Sequence, residues 1–201
     1  MSAYSHVLRR SLVGLAVLGA IGAQASVRTQ SVTPEETERS VRHMLERLPY
    51  YGVFDYIVFR VDRGTVYLAG FSFEGRLKAD AEMAAKRASG VVEVANKIEV
   101  LPASPNDDRI RWATFYRIYT DDFLSRYAPG GVPEVLRELV DERRFPGMQP
   151  VGRYPIHIVV KNGRTLLLGV VDGAADRQIA EVRAREVSGV FGVENELRAA
   201  R

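Results

Sequence analysis

The chain repeats one sequence pattern at an interval of 99 residues, and this duplication limits its possible folds more than any other feature. Residues 55–100 align with residues 154–199 without a gap, and about a dozen aligned positions are identical. Four of the identical pairs are glycines or asparagines: Gly64 and Gly163, Gly70 and Gly169, Gly90 and Gly189, and Asn96 and Asn195. A repeat of this length predicts two copies of one structural unit.

Each copy has the pattern of a β-hairpin followed by a helix and a further strand. Residues 56–61 and 156–160 are rich in β-branched and aromatic side chains, and each run ends at a turn sequence, Asp-Arg-Gly or Lys-Asn-Gly. The next strand of each copy ends on a glycine, and helical patterns cover residues 76–89 and 174–188. We expect the shared glycines and asparagines to be structural, with the asparagines partly buried and hydrogen-bonded.

A leading helix is predicted before each hairpin. In the first copy Thr33 is a natural N-cap, and Pro34 suits the first helical position. In the second copy an aromatic-rich segment after residue 107 supplies the helix. Residues 129–152 are interpreted as an insertion with a short helix over 133–144, which the first copy lacks.

The resulting fold class is α+β, with two tandem α-β-β-α-β units. Each unit is predicted to be a small three-stranded mixed sheet covered by two helices, with the short helical insertion in the second. The predicted domains cover residues 33–101 and 107–200 and are joined by a linker at 102–106. A unit of about 60 to 70 residues is only marginally stable alone, so the two units are expected to pack against each other.

Residues 1–25 have the pattern of a signal peptide. A basic start precedes an apolar run over residues 11–22, and Ala23-Gln24-Ala25 provides a small-x-small cleavage sequence. The apolar run is shorter than the roughly 20 residues that a membrane-spanning helix needs. We therefore expect cleavage after Ala25 and export to the periplasm, with Arg9-Arg10 leaving open the general or the twin-arginine route.

Charge and cysteine content exclude several classes of partner and site. The chain has 28 basic and 25 acidic residues, and its formal charge of +3 falls to +1 once Arg9 and Arg10 leave with the leader. Nucleic acid is not an expected partner, because so small an excess cannot neutralise many phosphates. The absence of cysteine excludes disulfides and thiolate metal sites.

The repeated pattern resembles the bacterial osmotic-shock and nodulation domain, abbreviated BON. The resemblance rests on a strand ending in a turn glycine, then V-x-L-x-G, a helix and GV-x-x-V-x-N. The residues that carry it are Gly64, Val66, Leu68, Gly70, Gly90, Val91, Val94 and Asn96, and Gly163, Leu167, Gly169, Gly189, Val190, Val193 and Asn195. With the duplication and the leader, the chain resembles a tandem, exported member of this family. The resemblance implies binding of phospholipid or another envelope component in envelope or osmotic stress.

The sequence contains no recognisable catalytic or metal-binding arrangement. No Ser-His-Asp order, catalytic cysteine, His-x-x-x-His pair or phosphate-binding glycine loop is present. The aspartate pairs are interpreted as helix caps, with Asp107 or Asp108 before one helix and Asp172 or Asp176 before another. We therefore predict that the protein is not an enzyme and uses no metal or cofactor.

An aromatic and basic helix is the candidate binding surface. Trp112, Tyr116, Arg117 and Tyr119 are the predicted ligand contacts, because aromatic and arginine side chains suit a phospholipid headgroup layer or a protein-binding patch. The alternative is that the helical spacing places this stripe in the core between the repeats. The predicted function is binding of an envelope component in the periplasm, with phospholipid as the ligand that the family resemblance implies. The alternative is a protein-interaction or chaperone-like periplasmic module.

Overall fold

The computed structural model describes residues 32–130 and 149–200, which belong to one compact unit, Val32–Arg201. The first repeat contains α1 (Pro34–Leu45), β1 (Tyr56–Asp62), β2 (Thr65–Ser72), α2 (Gly75–Lys86), β3 (Glu93–Asn96) and β4 (Glu99–Val100). The second contains α3 (Pro105–Tyr119), a 3-10 turn (Ser125–Tyr127), β5 (Ile156–Lys161), β6 (Arg164–Val171), α4 (Ala174–Arg185) and β7 (Gly192–Ala199). The predicted helix over 133–144 lies outside the described residues.

The two sheets share one topology. In the first, β1 is antiparallel to β2, and β3 and β4 are parallel to β2. In the second, β5 is antiparallel to β6 and β7 is parallel to β6. The predicted α+β class with two tandem mixed-sheet units is confirmed, with one difference: the last strand of the first repeat is divided into β3 and β4.

Both hairpin turns use backbone conformations that favour glycine. Arg63 and Gly64 have φ angles of 47° and 81°, and Asn162 and Gly163 have φ angles of 52° and 73°. Two successive positive φ angles are the conformation of a tight hairpin turn whose twist matches that of its strands. The predicted turns are therefore present, with Arg63 at a position where asparagine is more usual.

Helix α3 begins with the same capping pattern as α1. Thr33 accepts a hydrogen bond from the Glu36 amide at 3.2 Å, and Ser104 accepts one from the Asp107 amide at 3.2 Å. A proline follows each cap at the first helical position. The assignment of Asp107 or Asp108 as the cap of α3 was wrong, because Ser104 already fills that position.

The predicted cap of α4 was also wrong. Gly173 is the N-cap, and it makes no side-chain capping bond. Asp176 instead accepts hydrogen bonds from Arg126 at 2.6 Å and from the Tyr127 hydroxyl at 2.9 Å. Asp172 lies beside the same arginine at 3.4 Å. These carboxylates hold the 3-10 turn against the start of α4.

In the second repeat α3 takes the place that α1 takes in the first. Helix α1 packs against α2 and β1, and α3 packs against α4 and β5. The glycine after the second helix of each repeat meets the leading helix: Gly90 faces Thr37, and Gly189 faces Arg109. Because the packing is equivalent, α3 serves as the leading helix of the second unit.

The hydrophobic core consists of two buried clusters, and one of them includes residues of both repeats. One buried cluster lies within the first repeat and includes Val41 and Leu68. The other contains the buried residues of the second repeat together with Val53 and Phe54, which precede β1. Both residues are fully buried, so the segment that enters the first hairpin completes the core of the second repeat. The expectation that the two units pack against each other is met in this way.

Asn96 and Asn195 form the same joint in the two repeats. The Asn96 amide donates to the Lys78 carbonyl at 3.0 Å and to the Glu82 carboxylate at 3.2 Å, while its Oδ1 accepts from the Ile98 amide. Asn195 makes the equivalent bonds with the Arg177 carbonyl, the Glu181 carboxylate and the Leu197 amide. Each asparagine therefore links the second helix of its repeat to the last strand.

Replacing Asn96 or Asn195 by alanine is expected to lower the free energy of unfolding by about 1 to 3 kcal/mol, because each change leaves partly buried backbone groups without partners. Urea unfolding followed by circular dichroism measures the loss. Asn106→Ala is the matched control, since Asn106 is exposed in the first turn of α3. If Asn106→Ala lowered the free energy of unfolding as much as alanine at Asn96 or Asn195, the structural role of these two residues would be contradicted.

Candidate ligand groove between the repeats

The four predicted ligand residues do not form one accessible surface. Tyr119 is fully buried, and its hydroxyl donates to the Ile156 carbonyl at 2.6 Å. Trp112 is half-buried with its ring edge-on to Phe54, at 5.8 Å between centroids. Tyr116 is half-buried and Arg117 is exposed.

The stripe instead joins the repeats, because Trp112 of α3 contacts Phe54 of the first repeat. Arg117 forms an ion pair with Glu186 at 3.1 Å, which ties α3 to the end of α4. Ligand contact through the four residues stays a prediction, and Tyr119 has no exposed surface with which to make it.

Arg111 is a buried cation in the joint between the repeats. It is 1% exposed, pairs with Asp108, and donates to the Val160 carbonyl at 2.6 Å. Its guanidinium lies 5.3 Å from the Phe73 ring centroid in the first repeat. Burial lowers the pKa of Arg111, and Asp108 opposes the shift. The hydrogen bonds and the carboxylate partner keep this charge tolerable inside the protein.

Asp55 is a buried carboxylate that fastens the segment before β1. Its oxygens accept hydrogen bonds from the Gly52 amide at 2.9 Å, the Phe73 amide at 2.6 Å and the Gln149 side chain at 2.6 Å. Burial raises the pKa of Asp55 to about 6, although these hydrogen bonds oppose the shift. The segment also pairs with the chain before β5, since the Val53 amide donates to the Pro150 carbonyl at 3.0 Å.

A groove of about 500 Å³ lies beside this paired segment. Its volume is within the range of small-molecule sites in proteins. The first-repeat wall is apolar and consists of Leu45, Leu48, Ile57 and Phe59. The second-repeat wall is more polar and consists of Val151, Gly152, Arg153, Tyr154 and His157. Arg42, Glu46 and Tyr51 complete the lining.

One arginine from each repeat brings positive charge to the groove, Arg42 from the first and Arg153 from the second. The guanidinium of Arg42, on α1, lies 5.3 Å from the Phe59 ring centroid and forms an ion pair with exposed Glu38 at 2.9 Å. Arg153 donates to the Glu46 carbonyl at 3.3 Å and is exposed. The groove therefore combines an apolar wall with two exposed cationic side chains.

His157 is the buried polar group of the groove. It is 8% exposed, and its ring lies edge-on between Tyr51 and Tyr56, with centroid distances of 5.5 and 5.4 Å. Burial lowers the pKa of His157 to about 4, while hydrogen bonding with the backbone of Asp55 and Gly52 opposes the shift. Nδ1 has no hydrogen-bond partner within residues 32–130 and 149–200.

Sequence reasoning missed the groove because its walls come from segments about 100 residues apart. The one local indication is His157, an ionisable residue inside the apolar run of β5. The structure places it on the face of β5 that meets the first repeat, beside Tyr51 and Tyr56.

The aspartate pairs have structural partners. Asp107 accepts from the amides of Asn162 and Gly163, which form the β5–β6 turn, at 2.9 and 2.8 Å. Asp121 is buried and pairs with Arg183 at 2.7 Å. Across the described ranges no cluster of three or more His, Cys, Asp or Glu side chains is arranged to hold a metal ion. In the same ranges no helix has the length and apolar character needed to span a membrane.

Comparisons with known proteins support a family assignment. The family model described as the BON domain matches residues 36–102 and 134–201, which together exceed half of the chain. The second match begins after α3, although α3 packs on the second sheet. No curated protein matches the chain.

Two solved structures show distant similarity. One is CdsD, a structural protein of the type III secretion system of Chlamydia trachomatis, with 11% identity over 81% of this chain and 91% of that chain and a TM-score of 0.26. The other is the C-terminal domain of CdsD, with 12% identity over 81% of this chain and 96% of that chain and a TM-score of 0.25.

Proposed function

Because this chain belongs to the BON domain family and carries two copies of its domain, we propose that it is a non-enzymatic periplasmic protein that binds phospholipid. Its role is to support the cell envelope under envelope or osmotic stress. The family suggests an envelope-associated module, and the observation that carries the finer proposal is the groove between the repeats.

The groove suits an amphiphile with an anionic headgroup. Apolar chains gain about 0.8 kcal/mol for each methylene that leaves water, and the first-repeat wall offers Leu45, Leu48, Ile57 and Phe59 as a surface for them. Arg42 and Arg153 supply guanidinium donors, which match the geometry of phosphate oxygens. The lining contains one carboxylate, Glu46, and Arg42 is also paired with Glu38, so Arg153 is the cation of the groove without a carboxylate partner among the ion pairs described.

The periplasmic location rests on the leader pattern of residues 1–25. Binding experiments therefore use residues 26–201, so that the apolar run of the leader does not itself bind vesicles. This fragment retains the whole compact unit Val32–Arg201.

Replacing Arg42 and Arg153 together by glutamine is expected to weaken binding to phosphatidylglycerol vesicles at least about tenfold, because each arginine gives up charge-assisted hydrogen bonds to phosphate. Vesicle flotation, with phosphatidylcholine vesicles as the neutral reference, measures the change. The matched control replaces exposed Arg63 and Arg87, which do not line the groove, by glutamine.

The control variant should bind like the unmodified protein. Equal weakening in both variants would mean that anionic vesicles are held by diffuse charge and not by the groove. If the unmodified protein floats with no vesicle but crosslinks to an unfolded envelope polypeptide through the first-repeat wall, the chaperone-like alternative replaces phospholipid binding.

A further inference from the structure

The segments that lead into the two hairpins pair with each other symmetrically. These lead-in segments are residues 51–54 and 150–153. The Val53 amide donates to the Pro150 carbonyl at 3.0 Å, and the Gly152 amide donates to the Tyr51 carbonyl at 3.0 Å. The two bonds exchange when each residue is replaced by its equivalent 99 positions away, so the two segments are related by a local two-fold axis.

In the second repeat a lead-in segment closes the outer edge of β5. The Val53 carbonyl accepts a hydrogen bond from the Ile158 amide at 2.8 Å, and side chains of α3 donate to the carbonyls of Ile156 and Val160 at 2.6 Å each. These three strand residues are fully buried, as is Phe54, which follows Val53. An extended stretch of polypeptide with an aromatic side chain therefore covers this edge.

The equivalent edge of the first repeat, on β1, is open. Ile57, Phe59 and Val61 lie 99 residues before the three covered residues and in the same register of their hairpin, but all three are only half-buried. Among the residues that the structure describes, the Tyr51 hydroxyl meets the Ile57 amide at 3.4 Å, and the backbone groups of Phe59 and Val61 that point away from β2 have no partner. An open strand edge is a template on which another strand can pair.

The groove lies between this open edge and the second lead-in segment. Ile57 and Phe59 line it from one side, and Gly152 and Arg153 line it from the other. Arg153 stands where the first lead-in segment has Phe54, and it is exposed whereas Phe54 is fully buried. The groove is therefore the counterpart of the space that Phe54 and its segment fill in the second repeat.

The charges beside the edge favour an acidic occupant. Arg60 of β1 and Arg153 are exposed, and neither has a carboxylate partner among the ion pairs of the described residues. The carboxylates of Glu38 and Asp62 already pair with neighbouring arginines, which leaves Glu46 in the groove lining to face these two cations. Opposite charges on neighbouring strands stabilise their pairing, so acidic side chains on an added strand are favoured.

We propose that the edge of β1 binds an extended segment of a partner polypeptide by strand addition. The backbone of this segment hydrogen-bonds Phe59 and Val61, an aromatic side chain enters the groove, and acidic side chains meet Arg60 or Arg153. The proposal goes beyond the proposed function, because a phospholipid needs only the side chains of the groove, whereas the segment needs the backbone edge. Both ligands meet the apolar wall, so each is expected to exclude the other.

The chain supplies a probe, which is the segment that covers β5. A labelled, end-capped peptide with the sequence of residues 50–56, Tyr-Tyr-Gly-Val-Phe-Asp-Tyr, combines the aromatic and the acidic side chain. Fluorescence anisotropy is expected to show saturable binding to residues 26–201. Alanine in place of the peptide's phenylalanine should weaken binding at least about tenfold, because the apolar contact is lost. Asparagine in place of its aspartate should weaken binding about threefold.

Substitutions at Val61 separate the backbone edge from the groove. Val61→Pro removes an outward N–H outside the groove lining, and proline is tolerated on the outer side of an edge strand. It should weaken peptide binding about fivefold, the effect of one hydrogen bond, and leave vesicle flotation unchanged. Val61→Ala keeps the N–H and is the matched control, which should bind the peptide like the unmodified protein. Phe59→Pro, compared with Phe59→Ala, preserves the test if Val61→Pro fails to fold.

The outcomes distinguish this proposal from phospholipid binding. If the peptide does not bind, or if folded Val61→Pro binds it as tightly as Val61→Ala, strand addition at β1 is wrong, and vesicle flotation decides phospholipid binding separately. If the peptide binds and no vesicle does, the proposed function is wrong and strand addition stands. Sedimentation of residues 26–201 alone tests for a second copy of the chain: a dimer that Val61→Pro dissociates would overturn the assignment to a partner polypeptide.

Discussion

The substitution Gly70→Ala is expected to lower the free energy of unfolding by about 4 kcal/mol or more. Losses of this size are seen for substitutions that strain the backbone or disrupt the packing of the core. Gly70 has a φ of 111°, which other residues rarely adopt, and an added Cβ would lie 2.0 Å from the carbonyl oxygen of Tyr56 in the paired strand. The clash is with backbone, so the hairpin must open to relieve it. Gly169 has the same geometry against Pro155, with a φ of 122° and the same 2.0 Å, and Gly169→Ala should behave alike.

Gly75→Ala is the matched control, because an added Cβ at that position of α2 has no atom within 4 Å. It should leave stability unchanged or raise it slightly, since alanine favours helix. Trp112 is the only tryptophan and contacts Phe54 across the joint, so its fluorescence reports when the repeats separate in urea. A loss below about 1 kcal/mol at Gly70 would show that β1 and β2 are not paired in the register described.

Asp55 and His157 are expected to make the free energy of unfolding depend on pH in opposite directions. In the unmodified protein the two effects largely cancel, so neither is visible alone. The folded-state pKa of Asp55 is raised from 3.8 to about 6, so its contribution is fully present below about 4 and is lost as the pH rises through 6. The folded-state pKa of His157 is lowered from 6.5 to about 4, so its contribution is present above 6.5 and is lost as the pH falls through 4. Each effect is at most about 3 kcal/mol, at about 1.4 kcal/mol per pKa unit.

Single variants should reveal the two terms. With Asp55→Asn only the histidine term remains, and stability should rise between pH 4 and 6.5 relative to the unmodified protein. With His157→Phe only the aspartate term remains, and relative stability should fall over the same interval. Urea unfolding at half-unit pH steps measures the free energy of unfolding of all three proteins. Subtracting the value of the unmodified protein from that of each variant removes the contribution of the groups that titrate in all three. Parallel pH profiles for the three proteins would mean that neither group has a strongly shifted pKa.

Much of each repeat was predictable because its determinants are close together in the sequence. Thr33 caps α1 through an amide three residues away, and the turns at Arg63–Gly64 and Asn162–Gly163 depend on two residues each. Asn96 and Asn195 were expected to be hydrogen-bonded, and their partners lie within 20 residues. Local backbone preference and short-range hydrogen bonds therefore identify the unit and its duplication.

The joint between the repeats was not predictable from these patterns. The spacing of Trp112 and Tyr119 is equally consistent with an exposed binding stripe and with a buried contact, since a helix face does not specify what covers it. The caps of α3 and α4 were misassigned because several polar residues stood near each helix start, and only geometry shows that Ser104 and Gly173 occupy those positions.

The α+β unit, its duplication and the family could be predicted from the amino-acid sequence, because turn glycines, helix periodicity and strand patterns act over a few residues. The groove, by contrast, exists only in the folded molecule. The groove needs Leu48 and Phe59 on one side and His157 on the other, about 100 residues away, and its character depends on which of their atoms remain exposed. Burial changes the pKa of Asp55 and His157, and burial is a property of the packed molecule, which no short stretch of sequence contains.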